Sequence, residues 1–202
     1  MPLEIEVKFY LPDPESFERR LPAYGAQLVS NSPETNIRYE NQDNSLYSKK
    51  ILLRLRRADT ITLTYKSKPA EFNPDFKVHH ELEVTINDFE SMRRILESIG
   101  FHPAQVYEKK RATWRIENTL LCVDQMPYGN FIEIEGNPEN IQKVAQDLGF
   151  VWKDRILFNY LEIFDTLKQQ LELPFSEVTF DDFKNVTVDF NQYLHLFKAG
   201  AD

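Results

Sequence analysis

The sequence predicts an α+β fold: an eight-stranded antiparallel β-barrel with helices packed outside it and a C-terminal extension. Three observations lead there. Period-two alternation of apolar and polar residues recurs along the chain far more often than helical periodicity. The polar members of those strands are mostly charges of a single sign. Three further segments combine an apolar face at helical spacing with helix-boundary residues.

Taken in order, residues 3–9 open the chain as a strand with Glu4, Glu6 and Lys8 on one face and Ile5, Val7 and Phe9 on the other, because side chains two apart share a face. Asp13 then caps a helix and Pro14 fits its first position. A strand over 35–40 follows, and the strand 51–57 sets Arg54 and Arg56 against Leu53 and Leu55. Residues 61–67 place Thr62, Thr64 and Lys66 opposite Ile61, Leu63 and Tyr65, while 79–86 place Glu81 and Glu83 opposite Leu82 and Val84.

Asn87, with Glu90 three residues on, opens a second helix that presents Phe89, Met92, Leu96 and Ile99 and stops at Gly100. The strand 107–116 aligns Lys109, Arg111, Thr113 and Arg115; 119–124 aligns Cys122 with Asp124; 131–136 aligns Glu133 with Glu135. A third helix starts at Asn137-Pro138, shows Ile141, Val144, Ala145 and Leu148, and stops at Gly149. Asp154 is expected to cap a last helix through Ile156, Tyr160, Ile163 and Leu167. The reading divides the chain into a main domain, 1–167, and an acidic, aromatic extension, 168–202, packed upon it.

Any one strand of this kind fits a sheet with a solvated face. The set does not, because a solvated face mixes signs and tolerates Ser, Thr, Asn and Gln, whereas these rows are cationic in three strands and anionic in three. An eight-stranded sheet closes into a barrel whose interior holds side chains or a small ligand. With the charged rows inside and the aliphatic rows outside, beneath the helices, both patterns follow at once. Such an interior costs several kcal/mol per desolvated ion, so a ligand is expected to use it.

The bulk numbers narrow the setting. With 202 residues, 42% hydrophobic, the chain can bury one sizeable core. No apolar run reaches the roughly 18 residues of a membrane span, and no signal-peptide pattern opens the chain, so no membrane association and a cytoplasmic location are expected. Cys122, the one cysteine, excludes internal disulfides and cysteine-based zinc sites and reads as a small buried filler. A net charge of -8 argues against nucleic acid as a partner.

The inward row chemistry is specific. Arginine forks and lysine point charges are what a polyphosphate requires. Carboxylates beside them make sense as ligands for Mg²⁺ or Mn²⁺, hard ions that take oxygen and bridge protein to phosphate.

These residues resemble the CYTH superfamily, the triphosphate tunnel metalloenzymes, over about residues 3–164. Glu4-Ile5-Glu6-Val7-Lys8 is similar to the family's N-terminal ExExK signature, Leu53-Arg54-Leu55-Arg56 to its LRxR strand and Thr64-Tyr65-Lys66 to its T-x-K strand. Glu81-Leu82-Glu83 resembles the central ExE and Lys109-Lys110-Arg111 the KxR pair. Asp124 through Gly129, Phe131, Glu133 and Glu135 resemble the closing segment. The resemblance implies an antiparallel tunnel, with Glu4, Glu6, Asp124, Glu133 and Glu135 serving Mg²⁺ or Mn²⁺. It implies that Lys8, Arg54, Arg56, Lys66, Lys109 and Arg111 bind the triphosphate. Lys66, Glu81, Glu83 and Tyr39 take catalytic roles, Glu81 and Glu83 orienting water or a second metal and Tyr39 pairing with Lys66. Arg155, Asn159 and Tyr160 fall near a late tunnel contact of the family, against a plainer reading as helix packing.

The implied activity is divalent-metal-dependent hydrolysis of a small triphosphate, inorganic tripolyphosphate or an organic one such as thiamine triphosphate. Two alternatives stand beside it: a class IV adenylate cyclase making cyclic AMP and pyrophosphate from ATP, and a non-catalytic polyphosphate or nucleotide sensor. The stretch before the LRxR strand, "NQDNSLYSKKILLRLRR", matches the cyclase members poorly, and both terminal ExE pairs are present, which a sensor could lose. A homodimer is a further expectation, with the extension either plugging one tunnel mouth or forming the contact.

Overall fold

The computed structural model describes residues 2–70 and 73–200. Eight strands form a closed ring in the order β1-β5-β4-β3-β2-β6-β7-β8, with every neighbouring pair antiparallel. They are β1 (Leu3–Tyr10), β2 (Gln27–Glu40), β3 (Ile51–Arg57), β4 (Ile61–Ser67), β5 (Lys77–Ile86), β6 (His102–Ile116), β7 (Thr119–Met126) and β8 (Gly129–Glu135). The helices are α1 (Pro14–Arg20), α2 (Ser45–Ser48), α3 (Phe89–Ser98), α4 (Pro138–Asp147) and α5 (Tyr160–Gln170).

The barrel is inverted, with its apolar core outside. Val7 and Phe9 of β1, Leu121 and Val123 of β7 and Ile132 and Ile134 of β8 are buried against Phe17 of α1 and Ile141, Val144 and Ala145 of α4. On the opposite side Tyr39 and Leu55 pack with Phe89 and Leu96 of α3. Two helices start at the expected caps, Asp13 accepting from the Ser16 amide and Asn137 from the Asn140 amide, whereas α3 is capped by Asp88, which accepts from the Ser91 amide, one residue after the expected Asn87. Gly100 and Gly149 end α3 and α4 at φ 98° and 87°, a left-handed backbone that glycine adopts without a Cβ penalty.

Several boundaries differ from the sequence reading. β2 starts at Gln27, not 35, and β6 starts at His102, not 107, because the two pair along their whole length from Gln27↔Arg115 to Glu40↔His102. Sustained pairing carries β2 through a stretch, Pro33 included, that has no clean alternation of its own. β5 begins at Lys77, pairing with Glu6. The last helix starts at Tyr160 under an Asn159–Glu162 capping box rather than at Asp154. The intervening Ile156 is extended, bridging Lys8 on one side and Lys198 on the other.

One end of the barrel is partly covered. There β1, β2, β4 and β7 finish while β3, β6 and β8 begin. Tyr107, Met126 and Phe131 are buried with Tyr160 and Phe164 of α5 and with Val178, Phe183, Phe190 and Phe197 of the extension. The extension also adds a backbone pairing, Val178 with Val106 and Glu108 at 2.9 Å each. Among the described residues no helix is long and apolar enough to cross a membrane.

Candidate functional site

Inside the ring lies a cavity of about 140 Å³, room for on the order of ten waters. Arg54 and Arg56 from β3, Lys66 from β4, Lys109 and Arg111 from β6, Glu4 and Glu6 from β1 and Glu133 and Glu135 from β8 all line it. The parity sorting thus brings residues from five strands to one space. Lys50 and Lys68 are the exposed members of the lining, which marks the opening beside the start of α5.

The anionic side is a cluster: Glu4, Glu6 and Glu135 each offer an oxygen within 4.8 Å of the other two. Lys66 Nζ holds Glu4 at 2.5 Å and lies 3.3 Å from Glu81; Lys77 Nζ holds Glu6 at 2.5 Å. Among the described residues Glu135 has Arg111 as its cation, 4.0 Å away, and accepts from the Cys122 thiol at 3.6 Å. Burial, opposed by Arg111 and reinforced by Glu6, Glu4 and Glu133, therefore pushes the Glu135 carboxyl up to about 7. Three crowded carboxylates with too little neutralising charge suit a hard divalent cation, so the residues present fit Mg²⁺ or Mn²⁺.

The cationic side has spare donor capacity. Arg54 is buried, its Nη1 and Nη2 donating to Tyr107 at 3.4 Å and Thr64 at 3.1 Å, yet its Nε has no protein partner. A buried donor left unmade is costly. Lys66 is raised: burial pulls it down, but Glu4, Glu6 and Glu81 together outweigh it. Glu81 moves the other way, raised by burial and Glu4 against the pull of Lys66. The Lys66 charge is thus committed to Glu4, which leaves Glu81 the more ready proton acceptor.

Several expected roles do not match the geometry. Asp124 is fully buried and its oxygens are already taken by Arg111 Nε at 2.6 Å, Lys109 Nζ at 3.2 Å and Tyr160 Oη at 2.7 Å, so it anchors cations rather than joining the acidic cluster. Glu133 is likewise held, by Lys8 at 3.2 Å and by Arg111. Lys8 does not reach the cavity wall. Its Nζ donates to the Phe158 carbonyl at 2.9 Å and sits 3.9 Å above the Tyr160 ring. Glu83 accepts from Thr64 at 2.7 Å toward the exposed end of β5. Tyr39, expected beside Lys66, packs outside the barrel under α3, because it alternates with the inward Arg38. Arg115 is exposed beyond the cavity.

Other lining residues escaped the sequence reading. Arg38 lines the cavity, and Glu34 and Asn36 share its face of β2; Lys77 precedes the expected start of β5 and His79 sits at it. Extending the Glu81, Glu83 row backward by twos finds both. Asn159 and Tyr160 line the cavity as well, while Arg155 instead holds Asp75 at 2.9 Å.

Glu34 shows how the lattice is held. Burial raises it, but Lys109, Arg111, Arg56 and Arg54 outweigh that and bring it to about 2. Its Oε2 lies 3.3 Å from Arg56 and 3.6 Å from Lys109, a charge contact more than a hydrogen bond. A depressed carboxylate contributes stability that is present above its unfolded value, near 4.5, and lost as pH falls toward 2. The shift is worth roughly 3 kcal/mol. Glu34→Gln is therefore expected to lower stability at pH 7 and to flatten the acid loss between pH 4.5 and 2, read by urea unfolding at each pH. Parallel acid profiles would contradict the assignment.

The CYTH domain family model matches residues 2–153. The chain belongs to the CYTH family. A Methanocaldococcus jannaschii protein provisionally named an adenylate cyclase is 25% identical over 167 residues, 82% of this chain and 89% of that one. A Vibrio parahaemolyticus structure, also provisionally an adenylate cyclase, superposes with a TM-score of 0.71 at 18% identity, covering 81% of this chain and 98% of that one. A Hippeastrum adenylyl cyclase candidate, described as having a dominant triphosphatase activity, superposes at 0.51 with 20% identity over 73% and 88% of the two chains. The last two likenesses bear on the fold, and it is this CYTH fold that sets the charged rows inward.

Proposed function

We propose that this CYTH protein is a divalent-metal-dependent triphosphatase that hydrolyses the terminal phosphoanhydride of a small triphosphate. The observation that carries the reading is one cavity holding both a three-carboxylate cluster, Glu4, Glu6 and Glu135, and an arginine-lysine set with an unpartnered Arg54 donor. Phosphoryl transfer needs mostly positioning and charge stabilisation, and these are what the lining offers.

In this reading Arg54, Arg56, Lys109 and Arg111 hold the phosphate oxygens, with Asp124 and Glu34 fixing their orientation. A bound Mg²⁺ or Mn²⁺ would sit on Glu4, Glu6 and Glu135 and supply charge neutralisation and template chemistry. Glu81, with its raised proton affinity, accepts a proton from the attacking water, and Lys66, 3.3 Å away, keeps its carboxylate oriented.

Hydrolysis and cyclisation differ in which phosphorus meets the carboxylates, the terminal one or the α-phosphorus. The structural neighbour described as having a dominant triphosphatase activity supports hydrolysis, while the relatives provisionally named adenylate cyclases keep cyclisation as the competing reading.

The test is direct: purified protein with Mg²⁺ or Mn²⁺ is given tripolyphosphate, thiamine triphosphate and ATP in turn, and phosphate, pyrophosphate and cyclic AMP are followed. Orthophosphate release that vanishes on chelation is the expected result. Cyclic AMP as the main product would replace the proposal with the cyclase reading, and tight binding without turnover would replace it with a sensor.

A further inference from the structure

The 168–202 extension lies beyond the stretch that the CYTH model matches, residues 2–153, yet it is stitched to one strand of the cavity wall. β7 pairs with β6 from Lys110 to Ile116. Ahead of that stretch the extension takes the place of β7. Val178 runs parallel to Tyr107 and bonds to both of its neighbours, donating its amide to the Val106 carbonyl and accepting from the Glu108 amide, each at 2.9 Å. Glu177 accepts from the Val106 amide, and Gln105 Nε2 donates to the Ser176 carbonyl at 2.7 Å. The Phe180 amide donates to Glu108 at 3.0 Å. Across the strand Tyr107 pairs with Asn36 of β2, so its backbone is fixed from both edges.

The Tyr107 side chain shares the inward face with Lys109 and Arg111 and is a buried part of the cavity lining. Its hydroxyl accepts from Arg54 Nη1 at 3.4 Å and has no acceptor of its own among the described residues. Burial raises its proton affinity, but Arg54, Arg56 and Lys109 outweigh that and bring it below the ordinary tyrosine value. A phenol among cations, its proton uncommitted, is a donor suited to an anionic oxygen. We propose that Tyr107 is a further substrate-binding residue, its hydroxyl donating to the phosphate that Arg54 holds, and that the extension sets its place through Val178. The inference rests on the reading that this cavity takes the phosphates of a triphosphate. The extension is then a working part of the site, acting through the free edge of β6.

Calorimetric binding and steady-state hydrolysis of tripolyphosphate test this on the whole chain. Tyr107→Phe keeps the ring and removes the hydroxyl. It is expected to raise both Kd and KM about tenfold while kcat changes by less than about twofold, the pattern of a contact made equally in the ground and transition states. Val178→Pro removes the amide that donates to Val106 and is expected to raise KM in the same way, with no further rise when combined with Tyr107→Phe, because both act through one contact. Glu177→Ala, which takes the carboxylate off the Val106 amide, is the milder variant for the same cycle and stands in where Val178→Pro does not fold. Unchanged Kd and KM in Tyr107→Phe overturn the contact while leaving hydrolysis standing. Rises that add in the double variant overturn the link to the extension. Binding that weakens tenfold in Tyr107→Phe, in a protein that releases no phosphate, supports the contact and defeats the triphosphatase reading instead.

Discussion

Glu135→Gln is expected to cut metal-dependent triphosphate turnover about a thousandfold, some 4 kcal/mol of transition-state stabilisation, with the fold intact. Glu135 is the least neutralised member of the acidic cluster, with Arg111 4.0 Å away and the Cys122 thiol at 3.6 Å, and the amide oxygen of glutamine can still accept from both. The sign of the stability change follows from its proton affinity. A carboxyl raised to about 7 by burial and its acidic neighbours binds more protons folded than unfolded, so its ionisation costs stability as pH rises from about 4.5 to 7. The glutamine variant should then equal or exceed the wild type in melting temperature at pH 8. Turnover rates with titrated Mn²⁺, together with thermal melts, check both halves. Wild-type turnover in the variant would remove Glu135 from the site.

Asp124→Asn is expected to do the opposite, unfolding the protein more than it alters metal response. The carboxylate is fully buried and neutralises Arg111 and Lys109 while accepting from Tyr160 on α5. Taking one partner from a buried ionic network costs about 3–5 kcal/mol because the remaining charges are left uncompensated. In a chain of this size that lowers the melting temperature by roughly 10 °C. Circular dichroism melts with and without Mg²⁺ separate the roles. An unchanged melting temperature with a lost metal response would return Asp124 to the ligand set.

The contrast between these two acids shows how far the one-dimensional pattern reaches. Glu135 and Asp124 were indistinguishable as inward carboxylates on neighbouring strands. Their difference arises from register: Asp124 pairs across from Arg111, whereas Glu135 pairs with Glu6, so one meets a cation and the other a second acid. Lys8 makes the same point. Its place on the inward face follows from alternation with Val7 and Phe9, but its withdrawal from the cavity depends on Phe158 and Tyr160, some 150 residues away in sequence. Tyr39 was expected inside although its own neighbours put it out: Arg38 points in, so the next residue packs under α3.

What the sequence by itself determined, then, is the set of faces: which strand rows are ionic, where α1 and α4 start, and an interior that carries both cations and carboxylates. Alternation is local, set by the geometry of an extended chain, and needs no knowledge of partners. Only the tertiary structure decided which charges neutralise each other, which three carboxylates are left to crowd together, and that α5 and the extension partly cover one end of the barrel. Those outcomes depend on strand register and on contacts between distant segments, where a shift of a few ångströms turns an ion pair into a repulsion.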